Sequence, residues 1–199
     1  MSDDKRVRCD GCCFLQGQCV CRWIPSVTTR MSILVLQDPK EAQHAKNTVA
    51  LLTLCLPSVE RVVLTSVGAL SDALKEKDPQ KWRLVFPSDR AVALESMESS
   101  RLSEIEGLIF VDATWRKAKK LYFSERLLQV YDAVCFSSAP MSMYTIRKSP
   151  SAEFLSTLEA CAYAIEQVSG ENMAPLRAFM SSAQEWQWRK QPSDHRCSK

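Results

Sequence analysis

Residues 110–123 read FVDATWRKAKKLYF, and they gather more potential chemistry than any other stretch of the chain. Asp112 closes the apolar run GLIFV, where a carboxylate can accept a proton from a bound substrate. Trp115 follows, and then Arg116, Lys117, Lys119 and Lys120. An aromatic among cations suits stacking on a base together with attraction of phosphate. Asp or Thr before a helical run can also be a simple helix cap. Capping accounts for the acid but not for Trp115 or the basic residues. The second constellation is CDGCCFLQGQCVC, with Cys9, Cys12, Cys19 and Cys21 spaced as CxxC and CxC. Four thiolates at that spacing suit a closed tetrahedral Zn²⁺ site, with Cys13 to spare. The bland alternative is an oxidation-prone tail.

Two further stretches carry polar groups. KEAQHAKNT, 40–48, offers His44, Asn47 and Thr48, and reads equally as a solvated loop with an Asn cap on the next helix. SSAPMSMYTIRKSP, 137–150, offers Ser142, Tyr144 and Arg147 in a long loop, a setting that suits a carboxylate or phosphate ligand.

These residues need elements to hold them. SILVLQ (32–37), RVVLTSV (61–67), RLVFPS (83–88), GLIFVDAT (107–114) and DAVCFSS (132–138) read as strands, nearly continuous in apolar character as strands buried on both faces are. Helical patterns alternate with them: 46–56, the run after Trp115, a segment with Ser151 as candidate N-cap, and a last helix beginning near Asn172. Alternation implies an α/β fold with a mainly parallel sheet and helices on both faces, and such sheets bind ligands at the carboxyl ends of their strands. The division expected is a cysteine-rich segment over 1–26 and one domain over 27–199.

The totals exclude several classes. The 199 residues are 46% hydrophobic and 25% charged, with no apolar run long enough to span a bilayer and no signal-peptide core at the start. A soluble cytoplasmic protein is expected. Nine cysteines, an odd number, argue against a disulfide framework. Five glycines, with neither GxGxxG nor GxxxxGK[ST], leave no dinucleotide fingerprint or P-loop. A net charge of +3 is too small to identify a nucleic-acid partner by itself.

DATW, Asp112 to Trp115, resembles the D-x-T-W signature of the DTW-domain family. Other pieces agree in order: the CxxC…CxC segment, the Asn47–Thr48 loop, Phe86-Pro87-Ser88 at a strand end, SMYTIR from Ser142 to Arg147, and STLEA from Ser156 to Ala160. The similarity runs from Cys9 to about Ile165. It implies a tRNA-uridine aminocarboxypropyltransferase, which moves the 3-amino-3-carboxypropyl group of S-adenosylmethionine to N3 of a tRNA uridine. It also implies a SPOUT-like fold with a C-terminal trefoil knot.

The resemblance assigns roles. Asp112 would remove the N3 proton or orient the base. Phe86, Pro87, Ser88, Thr114, Ser142, Tyr144, Arg147, Ser156, Thr157 and Glu159 would hold S-adenosylmethionine, with Arg147 on its carboxylate. Asn47, Thr48 and Trp115 would meet the substrate, Trp115 by stacking on the target base, while Arg116, Lys117, Lys119 and Lys120 meet tRNA phosphates. Where many relatives of that family have a proline and further polar groups in the early loop, this chain has HAKNT from His44, which leaves His44 without an assigned role. Zn²⁺ on the four cysteines would be structural, and the chain a monomer or a homodimer. The rival readings are a SPOUT-like RNA methyltransferase and a non-catalytic zinc-containing RNA-binding module.

Overall fold

The computed structural model describes residues 7–66, 68–146 and 155–190. Its six strands are β1 Ser32–Gln37, β2 Val59–Val63, β3 Trp82–Val85, β4 Val92–Ala93, β5 Gly107–Asp112 and β6 Asp132–Cys135. They form one sheet in the order β2-β1-β5-β3-β6-β4, and every pairing is parallel. The helices are α1 Pro39–Ala42, α2 Thr48–Cys55, α3 Ala69–Leu74, α4 Ser99–Ser103, α5 Trp115–Ser124, α6 Arg126–Gln129, α7 Thr157–Ser169 and α8 Ala174–Gln187.

Alternation along the central strands builds two cores. Ile33, Val35, Leu108 and Phe110 face α2, α7 and α8, while Leu34, Leu36, Leu84 and Ile109 face α3, α5 and α6. Successive strand residues point to opposite faces, so helices are needed on both. Leu34, Leu36, Leu84 and Ile109 are all 0% exposed, and truncating any of them to Ala costs about 2–5 kcal/mol. On α8 the expected stripe Leu176, Phe179, Met180 and Ala183 is buried.

The strands are shorter than their apolar runs. The run 83–88 pairs only to Val85, and 132–138 leaves the ladder after Cys135, although β5 runs on to Asp112 against β1. The 61–67 run is a strand over Val59–Val63, and Val67 lies outside the described residues. Strand β4 has two residues and was not expected: Val92 is 41% exposed at the sheet edge, with too little apolar sequence to signal it. Helix α7 is capped by Ser156, while Ser151, the expected cap, lies outside the described residues. The Ser156 side chain accepts from Glu159 N and the Glu159 carboxylate accepts from Ser156 N, a reciprocal capping box. Gly107 opens β5 because the Trp82 indole lies against it: a Cβ there would sit 2.4 Å from the ring.

The N-terminal segment is fastened to the far end of the chain. Val20 is 0% exposed and Cys12 5%, and both belong to the α2–α7–α8 core. The Arg22 guanidinium lies over both Trp23 and Trp186, at 3.8 and 4.6 Å, and Arg189 lies 3.6 Å over Trp186. Gln187 and Arg189 donate to the carbonyls of Gln18 and Gly17.

Candidate active site and metal centre

Parallel strands β1 and β5 run in register and both end on a polar residue, Gln37 opposite Asp112. Gln37 is 0% exposed. Its amide nitrogen donates to Asp112 Oδ2 at 2.7 Å and to Asn47 Oδ1 at 3.1 Å. Thr157 Oγ1, in the first turn of α7, donates to Asp112 Oδ1 at 2.5 Å. Each carboxylate oxygen of Asp112 is therefore held by a side chain from a different element. Asp112 is not a helix cap, for α5 begins after Thr114, two residues on, and no side chain caps it. Asn47 is the cap of α2, accepting from Val49 N, and His44 is an exposed turn residue whose Nδ1 accepts from Lys46 N.

Beside Asp112 lies a cleft of about 470 Å³ at the carboxyl ends of β3, β5 and β6. Phe86, Phe110, Phe136 and Leu155 supply apolar wall, with Pro87, Trp115 and Thr157 among the expected residues that line it. The volume falls in the range of small-molecule sites, roughly 300–1,000 Å³. Ser88, next to this wall, has a buried hydroxyl with no partner among the described residues, and Gln37 Oε1 is likewise unpartnered. Burying a polar atom unpaired is costly, but neither residue lines the cleft itself. The apolar, phenylalanine-walled cleft fits the adenine end of an adenosine-bearing co-substrate.

A second group surrounds Glu159, which is 2% exposed. Its carboxylate accepts from Ser142 Oγ at 2.8 Å, Met143 N at 2.6 Å, and both Ser156 N and Ser156 Oγ. Tyr144 donates its hydroxyl to Lys46 O, and Lys46 Nζ in turn bonds Ile146 O. Ser142, Tyr144, Ser156 and Glu159 are thus joined to one another or to the 43–47 loop, and they fix the segment after β6 against α7. Arg147 lies outside the described residues. Thr48 is buried at the start of α2.

Glu95 completes the loop's support. It accepts from Ser137 N, Ser138 N, Ser137 Oγ and, at 2.9 Å, from the Tyr163 hydroxyl. Burial works against its charge, but these donors and its own N–H outweigh that and hold the carboxyl below its usual range. Nothing in the sequence marks Gln37 or Glu95, apart from the polar end of SILVLQ. Burial, followed by the Asp112 charge, pushes the Cys161 thiol well above its ordinary value, so that cysteine is an inert core residue.

The basic run divides. Lys117 Nζ sits 2.7 Å from both carboxylate oxygens of Asp38, the cap of α1. Burial works against the Asp38 charge, but Lys117 and the N–H groups of Lys40 and Glu41 hold its carboxyl below the usual range. Arg116, Lys119 and Lys120 are exposed and, among the described residues, have no ion pair.

The sulfur atoms of Cys9, Cys12, Cys19 and Cys21 lie within 4.8 Å of one another, and all four cysteines are free. Cys9 is 3.6 Å from Cys21 and 3.5 Å from Cys19, sulfur to sulfur. A Zn–S bond of about 2.3 Å implies tetrahedral edges of about 3.8 Å, so the cluster fits zinc. Gly11 leaves room for it, since a Cβ there would stand 3.0 Å from the Cys21 sulfur. The Cys12 and Gly11 N–H groups pull the Cys9 thiol down to about 6, whereas Cys9 and Cys19 push Cys21 up to about 12. Cys13 stands outside the cluster, exposed, with φ 60°.

A parallel α/β domain with a ligand cleft at its strand ends and a four-cysteine knuckle defines the class. The sequence matches the DTW domain over residues 6–187, and the chain belongs to that family. It is 27% identical over 193 residues to "tRNA-uridine aminocarboxypropyltransferase 2" of Macaca fascicularis, covering 89% of this chain and 63% of that protein. The protein of the same name from Mus musculus is 26% identical, with 89% and 64% covered. "tRNA-uridine aminocarboxypropyltransferase A" of Arabidopsis thaliana is 28% identical, with 91% and 80% covered. The chain thus spans less than two thirds of the length of the two animal relatives. No solved structure matches it. Among the described residues no helix is long and apolar enough to cross a membrane.

Proposed function

We propose that the chain is a tRNA-uridine aminocarboxypropyltransferase, converting a tRNA uridine to acp³U with S-adenosylmethionine as co-substrate. The observation that carries this reading is Asp112, held by Gln37 and Thr157 beside the apolar cleft, in a chain of the DTW family whose relatives bear that name. Residues 27–199 are read as the catalytic domain and 1–26 as a segment stabilised by Zn²⁺ on Cys9, Cys12, Cys19 and Cys21. A C-terminal knot belongs to the same reading and is supported by the resemblance alone.

S-adenosylmethionine supplies an aminocarboxypropyl carbon on a sulfonium, and its transfer to N3 leaves 5′-methylthioadenosine. The phenylalanine walls shut water out of the cleft and accept the adenine ring. By the resemblance, Ser88, which follows the Phe86–Pro87 wall, together with Ser142 and Arg147 orients the co-substrate. Asp112 takes the N3–H proton, directly or through a group it orients, as the new N–C bond forms, and later returns that proton to water. Gln37 and Thr157 fix the carboxylate, so little geometric search remains at the moment of transfer. Trp115, on the cleft wall, stacks on the uridine after it leaves its own stack. Arg116, Lys119 and Lys120 meet phosphates, while Lys117 acts chiefly by tying α5 to Asp38.

The test is nucleoside mass analysis of unmodified tRNA after incubation with the protein and S-adenosylmethionine. acp³U with 5′-methylthioadenosine is expected. Methylated uridine with S-adenosylhomocysteine would place the chain among methyltransferases instead, and an unconsumed co-substrate would leave only an RNA-binding module.

A further inference from the structure

The outward side of α5 carries an aromatic that neither core uses. Phe123 is 68% exposed, the most open of the exposed large apolar side chains among the described residues. It stands at the end of a line of rings. Phe86, on the cleft wall, stacks on Tyr122 with centroids 4.6 Å apart and planes 25° apart. Tyr122 meets Phe123 edge-on at 5.2 Å and 73°. The backbone is held in place here, because Gln129 Nε2 donates to the carbonyls of both Tyr122 and Phe123, at 2.9 and 3.2 Å. Lys119 and Lys120 precede Phe123 by four and three residues, which puts both beside it on the helix surface. Arg116 and Arg126 are exposed at either side, and the carboxylate within this stretch, Glu125, is half-buried.

We propose that Phe123, with Lys119 and Lys120, is a second contact for the tRNA, stacking on an unpaired nucleotide near the modified uridine. This rests on the reading of tRNA as substrate. Phe123 lies about 12 Å along the helix axis from Trp115, at 1.5 Å per residue. One helix therefore carries a ring in the cleft and a ring outside it, with cations between them. An extended single strand has its bases and phosphates in the same alternation, and stacking on an aromatic is indifferent to base identity. A second copy of the chain fits the surface less well. A two-fold contact through Phe123, Leu127 and Val130 would set the cations of one copy against those of the other.

The experiment measures binding of unmodified tRNA by fluorescence polarisation for wild type, Phe123→Ala, Phe123→Trp and Lys119→Gln/Lys120→Gln. Phe123→Ala is expected to weaken tRNA binding about tenfold, with Phe123→Trp restoring it. The double lysine variant should weaken binding and reduce the salt slope by about one to two units. Melting temperature should hold in Phe123→Ala, since the ring is mostly in solvent. Wild-type affinity in Phe123→Ala, alongside acp³U formation by the wild type, would overturn this inference and leave the proposed function standing. Conversion of a wild-type dimer to a monomer by Phe123→Ala in sedimentation would overturn it in favour of self-association. A wild type that binds no tRNA would overturn both.

Discussion

The cysteine cluster and the Asp112 site solve the same problem, converging polar groups on one point, by opposite means. Cys9 to Cys21 span thirteen residues, and two tight turns bring the four sulfurs within 4.8 Å. Gln37, Asn47, Asp112 and Thr157 come from four places in the chain, the first and the last 120 positions apart. The first site is a local motif, and a bound metal can order it. The second exists only once the sheet has formed and α7 has packed against it. Loss of a cysteine should therefore act through folding, and loss of Asp112 through chemistry.

The largest expected effect tests the second half of that contrast. Asp112→Asn should reduce acp³U formation by about a hundred- to ten-thousand-fold, the usual cost of losing a general base. Its melting temperature should stay close to wild type, because Asn keeps an oxygen for Gln37 and an amide for Thr157. Turnover near wild type would make Asp112 a structural link between β1, β5 and α7.

Metal removal tests the first half. Protein purified without added zinc should contain about one equivalent, as a closed four-cysteine site does. Cys21→Ser, or a strong chelator, should lower both zinc content and melting temperature, since Val20 and Trp23 pack on the main core. Cys13→Ser should retain the metal. A reduced, folded preparation with almost no zinc would remove the distinction between the two sites.

Gln37→Leu sharpens the comparison at intermediate size. It leaves the Asp112 carboxylate but deletes one of its two side-chain donors, and activity should fall about tenfold or more, as for loss of one hydrogen bond to a charged group. Gln37→Glu should fall further, since a second carboxylate beside Asp112 favours proton sharing between them. Equal activity in wild type and Gln37→Leu would assign the orientation of Asp112 to Thr157 alone.

The smallest effect concerns pH. Glu95 has a folded-state pKa below its unfolded value, so its contribution to stability is present above about pH 4.3 and is lost as pH falls through the folded value. Glu95→Gln should therefore show a shallower acid limb in stability against pH, read by denaturant titration at several pH values. An identical limb would mean that the Ser137–Ser138 loop is held by other contacts.

Much of the site was legible as sequence. The cysteine spacing indicated all four members of the cluster, because CxxC and CxC pairs a few residues apart are the pattern that turns four thiolates onto one point. The strand ends of FVDATW and RLVFPS pointed to the cleft, because apolar runs stop where a parallel sheet meets its ligand face. Asn47 was legible as a cap, and the DATW, SMYTIR and STLEA stretches indicated the family. Gln37 and Glu95 were not legible. Each is an ordinary polar residue whose importance comes from a partner at least 42 residues away.

The sequence by itself determined the strand and helix alternation, the apolar faces and the four-cysteine knuckle, all of which follow from periodicity or short-range spacing. Tertiary structure alone decided which polar groups meet. Parallel register set Gln37 opposite Asp112. The placement of α5 beside the cap of α1 gave Lys117 to Asp38 and left Lys119 and Lys120 exposed, though nothing in RKAKK distinguishes them. The position of α7 turned Glu159 inward to serve its own cap and the segment after β6. Periodicity tells which face of an element is buried. Register and packing decide what that face touches, and hydrogen bonds at a few ångströms depend on the latter.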